Sequence, residues 1–70
     1  MDKEALKKIR QNLPKGARQD IAKNFNLSPE HVAQILRGNR TNMAVVLEAV
    51  KIISVHKRQT QEAAAFLQSL

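Results

Sequence analysis

Residues 18–38 read Arg18-Gln19-Asp20-Ile21-Ala22-Lys23-Asn24-Phe25-Asn26-Leu27-Ser28-Pro29-Glu30-His31-Val32-Ala33-Gln34-Ile35-Leu36-Arg37-Gly38. Two short helices joined by a tight turn account for the pattern. The first is expected from about Ala17 to Asn24, with Ile21, Ala22 and Phe25 turned inward. Asn26 tolerates left-handed backbone geometry and can end it. The second opens at Ser28-Pro29-Glu30: a hydroxyl to cap the free amides, a proline at the first helical position, and a carboxylate at the positive end of the helix. Val32, Ile35 and Leu36 give it one apolar face, and Gly38 closes it.

The flanks read as helices too. From about Lys3 to Leu13, Leu6, Ile9 and Leu13 recur at spacings of three and four, with Lys7, Lys8 and Gln11 opposite. Asp2 is placed to cap this segment, and Pro14 forces Leu13 out of helical geometry. A last segment runs from about Met43 to near Leu70, with Thr41 or Asn42 as its cap. The chain lacks alternating β-branched runs, so no strands are expected. The fold class expected is all-α, a single domain over residues 1–70 with about four helices, the last one long (about 43–69).

The second helix of the pair carries an unusual outward stripe. Glu30, Ala33, Gln34 and Arg37 share the face opposite Val32, Ile35 and Leu36. One buried stripe backed by Gln, Arg and a small residue is a surface that can enter a DNA major groove. At about 17–38 the chain resembles the helix-turn-helix of the lambda-repressor-like (Cro/CI-type) DNA-binding proteins. Ile21 and Ala22 match the large-then-small apolar pair of the first helix, Phe25 and Leu27 flank the turn, and Val32 and Ile35 anchor the second helix. Asn26 stands where the family usually has Gly. The resemblance covers about 21 of the 70 residues. The long final helix departs from the several short helices usual there.

That resemblance implies that the second helix lies in the groove with its early residues at base edges. Gln34 is then a candidate for bidentate pairing with adenine, and Arg37 belongs to the same face. Glu30 either accepts from cytosine N4 or merely complements the helix dipole, and Ala33 offers close approach, as to a thymine methyl. Pro29 has no donor and reads nothing by hydrogen bond. Candidate phosphate contacts are Ser28 and His31 near the cap, Lys15 and Arg18 at the start of the first helix of the pair, and the loop residues Asn39, Arg40, Thr41 and Asn42. Phosphate contacts would supply most of the affinity and make it salt-sensitive.

The charge supports the same reading. Twelve Lys and Arg against six Asp and Glu give +6. Residues 1–42 hold nine of the basic and four of the acidic groups, so most of the positive field sits on the part that would meet a polyanion. Solubility charge alone is the plainer reading.

The last segment has two apolar seams stepping four and three alternately, the spacing of coiled coils. One is Val46, Val50, Ile53, Lys57, Thr60, Ala64 and Leu67. The other is Val45, Ala49, Ile52, His56, Gln59, Ala63, Phe66 and Leu70. The other helices can cover one seam, leaving the second to a partner. A second copy is expected to bind through Val45, Ala49, Ile52, His56, Ala63, Phe66 and Leu70, giving a homodimer that presents two recognition helices to a pseudo-palindromic site.

Composition sets the outer limits. Cysteine is absent and histidine occurs twice, so no disulfide framework or thiolate metal site is expected. Phe25 and Phe66 are the only aromatics, which disfavours single-strand stacking platforms and RNA. The chain shows no apolar run of membrane-span length and no leader-like start, so a soluble, cytoplasmic protein is expected. Neither a catalytic constellation nor a phosphate-cradling glycine loop is present, and an enzyme, a cofactor or a small-molecule ligand is not expected. The competing functional reading is a protein-interaction module, an accessory or antitoxin-type factor acting through the long helix.

Overall fold

All but the second of the helices start at a side-chain cap, and the first three along the chain stop where the backbone leaves helical geometry. The computed structural model describes residues 2–70 and holds four helices: α1 (Lys3–Asn12), α2 (Ala17–Asn24), α3 (Pro29–Arg37) and α4 (Met43–Ser69), with no strand among those residues. Asp2 accepts from the Glu4 amide at 3.2 Å, Ser28 from His31 at 3.1 Å and Asn42 from Val45 at 3.3 Å. Of the two expected caps for α4, Asn42 is therefore the one used. Before Pro14, Leu13 adopts φ −64° and ψ 130°, and α1 ends at Asn12.

Helices α2 and α3 end in the same way. In each, a residue in the left-handed region turns the chain so that two trailing amides reach back to the last carbonyls. After α2 that residue is Asn26 (φ 56°), with Leu27 N–H to Ala22 O at 2.8 Å and Asn26 N–H to Lys23 O at 3.4 Å. After α3 it is Gly38 (φ 88°), with Asn39 N–H to Gln34 O at 3.0 Å and Gly38 N–H to Ile35 O at 3.1 Å. A methyl group on Gly38 would also meet Leu6 Cδ1 at 3.3 Å. Conformation and space thus both favour glycine there.

The core is one cluster. Leu6 and Ile9 of α1, Ile21 and Ala22 of α2, and Val32, Ile35 and Leu36 of α3 meet Val45, Val46 and Ala49 of α4. Leu13, Phe25, Leu27, Ile52 and Ile53 pack around its edge. Ala22 is small enough to let α3 cross closely, and α4 contacts all three shorter helices. Arg10 adds a polar tie: its Nη1 donates to the Leu36 carbonyl at 2.6 Å, joining α1 to the last turn of α3.

Two expected dimer residues belong to this core instead. Val45 and Ala49 are fully buried within the chain, as is most of Val46 from the other seam. The three short helices wrap far enough round α4 to cover the beginnings of both seams, because Val45, Val46 and Ala49 share one arc of the helix. From Ser54 onward every residue of α4 is exposed. The radius of gyration is 13.8 Å, against about 11 Å for a globular chain of this length. The excess is the projecting half of α4, which sets the 46 Å long axis.

Candidate nucleic-acid interface

The outward face of α3 is polar because its inward face takes Val32, Ile35 and Leu36, all at 1% exposure or less. Ser28, Glu30, His31, Gln34, Asn39 and Arg40 surround an open polar groove of about 490 Å³ on that side. Six of the expected contact residues are thereby brought together.

Gln34 makes two side-chain hydrogen bonds there. Its Nε2 donates to Glu30 Oε1 at 3.1 Å, and its Oε1 accepts from Asn39 Nδ2 at 2.7 Å. The second contact follows from how α3 ends. In this C-terminal motif the side chain two positions past the end comes to lie against one in the last turn. Here these are Asn39 and Gln34, and an amide–amide hydrogen bond takes the place of the usual apolar contact. Arg37 Nη1 lies 3.8 Å from the same Glu30 carboxylate, with the two side chains 53% and 72% exposed. A pair so open to water contributes at most about 1 kcal/mol, so an incoming ligand displaces it at little cost. Glu30 thus holds Gln34 and Arg37 in the free protein and presents a negative charge on the face expected to meet DNA.

Ala33 departs from expectation. It is 8% exposed and offers little surface to a base. The stripe of Glu30, Gln34 and Arg37 is continuous without it, since those three follow each other at spacings of four and three. Ala33 flanks that line toward the interior.

The expected phosphate residues fall into three places. Ser28, His31, Asn39 and Arg40 border the α3 groove, although Ser28 also caps α3. Arg40 is shared with a smaller depression of about 70 Å³ that Thr41 and Asn42 help line. Asn42 is half-buried and its Oδ1 is engaged by the Val45 amide. Lys15 and Arg18 line a separate open depression of about 500 Å³ together with Arg10. It lies at the start of α2, where Gly16 caps without a side-chain hydrogen bond and the free amides of the first turn add positive potential.

Of the remaining expected dimer residues, Ile52 is half-buried at the edge of the core, whereas His56, Ala63, Phe66 and Leu70 are exposed. Among the described residues, no helix is long and apolar enough to cross a membrane, and no three His, Asp or Glu side chains converge as metal ligands. Two contributions escaped the sequence reading. Arg10 counted there only as charge, and nothing local announces its bond to Leu36. Asn39 counted as a phosphate contact; its grip on Gln34 follows from placing Gly38 just past the end of α3, which the sequence did allow.

No protein-family model matches the chain, and no curated protein or solved structure does so either.

Proposed function

We propose that the protein binds double-stranded DNA sequence-specifically as a lambda-repressor-like helix-turn-helix module, with α3 inserted in the major groove and two copies acting together as a repressor-like transcriptional regulator. The observation that carries this reading is the polar face of α3: Glu30, Gln34 and Arg37 in line on a helix whose opposite side is fully buried, beside the Asn39–Arg40 loop. A short helix braced from behind and bare in front is what the groove admits. Gln34 has the donor and acceptor for adenine N7 and N6, and Glu30, which can only accept, fixes which way its amide points. In this reading Arg37 would face a base edge and Arg40 a phosphate. Lys15 and Arg18 supply a second anchoring point on the backbone.

Titration against random-sequence duplex at two salt concentrations tests the electrostatic part. Affinity should fall steeply with salt, and Arg40→Ala should lower the slope of log K against log salt by about one. An unchanged slope removes Arg40 from the phosphate set. Absence of duplex binding at low salt overturns the reading.

The second reading, a protein-interaction module, draws on the exposed half of α4, where Phe66, Leu67 and Leu70 are 64%, 67% and 86% exposed. It predicts no preference for duplex and a partner protein bound through those residues.

A further inference from the structure

The seam that begins in the core at Val45 and Ala49 emerges from it at Ile52 and continues along the projecting half of α4 as His56, Gln59, Ala63, Phe66 and Leu70. The emergent part has a symmetry of its own. Gln61 is midway between Ile52 and Leu70, between His56 and Phe66, and between Gln59 and Ala63. The steps read four, three, four, three, four in either direction. We propose that residues 52–70 of α4 pair antiparallel with the same residues of a second copy, about a twofold axis level with Gln61. The proposal rests on the two-copy part of the preceding reading and supplies its interface.

Three observations select this arrangement. The first is size. Antiparallel pairing sets Ile52 against Leu70, the flat His56 ring against the Phe66 ring, and the long Gln59 over the small Ala63, so side-chain volume stays even along the seam. Parallel pairing would set Phe66 on Phe66, Gln59 on Gln59 and the small Ala63 on Ala63, crowding two levels and leaving a gap at the third. The second is space. Helices α1–α3 already occupy the seam at Val45 and Ala49. In a parallel pair the two sets of short helices would meet there, level with each other and on the same face. In the antiparallel pair they sit at opposite ends. The third is a shallow groove of about 240 Å³ between Pro14 and α4, lined there by Glu48, Lys51, Ile52, Val55, His56 and Gln59, with most of its exposed surface apolar. In the antiparallel register it receives Phe66 and Leu70 of the second copy. Each chain fills the other's groove, as a self-complementary twofold contact requires.

The consequence for DNA is geometric. With the axis at Gln61, the parts of α4 at Leu47 in the two copies are about 42 Å apart along the helix axis, at 1.5 Å per residue of offset. That is the same scale as the roughly 34–36 Å between half-sites one DNA turn apart.

The chain has no cysteine, so single spin labels can be placed at will on exposed positions. Labels at Gln61→Cys and, separately, Leu47→Cys lie off the seam. Sedimentation of the full chain should show a dimer. Dipolar coupling should give a short distance for the Gln61 label and a separation longer by tens of ångströms for the Leu47 label. Equal distances at the two positions mean a parallel pair and overturn the proposal, as does a monomer at the concentrations used for the labels. Phe66→Asp should shift the dimer to monomer while leaving salt-dependent binding to random duplex in place. If that variant stays dimeric, the interface is wrong. If both proteins fail to bind duplex while the distances hold, the DNA reading falls and the pairing stands.

Discussion

The two halves of α4 have similar chemistry and opposite fates. Val45, Val46 and Ala49 are 5% exposed or less, whereas Phe66, Leu67 and Leu70 are 64% or more. Both stretches carry apolar residues at coiled-coil spacing, and both are helical. The difference is what stands beside them. The first half has three short helices to press against, and the second has water. Apolar spacing therefore states a demand for burial without saying which surface meets it. Helix is also maintained differently in the two halves. Packing holds the first; the second relies on good helix formers such as Ala63, Ala64 and Ala65 and on the Arg58–Glu62 pair at 3.7 Å, and a free helix of that length is marginal in water.

That contrast can be broken or sharpened by substitution. The largest effect should come from the core: Leu36→Ala should cost about 2–5 kcal/mol in urea unfolding, a large share of what a domain this small has to lose. A loss below 1 kcal/mol would mean that the short helices are not packed as described. Arg10→Met, which keeps the aliphatic stem but removes the donor to Leu36 O, should cost about 1.5–3 kcal/mol, read in the same way. Gln34→Ala should leave folding alone and cost about 1–3 kcal/mol on a selected duplex, with preference relaxed at one base pair. Unchanged specificity there would take Gln34 out of the groove. The smallest effect should be Phe66→Ser, within about 0.5 kcal/mol for unfolding of the core measured on dilute monomer. A larger loss would show that the projecting half is coupled to the rest.

Sequence spacing marked out helix ends well because capping is local. Asp2, Ser28, Asn26, Gly38 and the Leu13–Pro14 step act on backbone groups within a few residues, so their effect is legible without knowing the fold. The line of Glu30, Gln34 and Arg37 was legible for the same reason, since a helix of known phase fixes which residues share a side. Ala33 shows where phase alone runs short: it borders the outward stripe by angle, yet is small enough to be shielded.

What the chain determined by itself was therefore the four helices, their caps and the polar face of α3, all consequences of periodicity and short-range hydrogen bonding. Tertiary structure alone decided how far the short helices wrap α4, taking Val45 and Ala49 inside and releasing the seam only at Ile52. It alone joined Arg10 to the Leu36 carbonyl, 26 residues away. The reason is physical: burial and long-range hydrogen bonds depend on which surfaces meet in space, and a one-dimensional pattern fixes the surfaces without fixing their meeting.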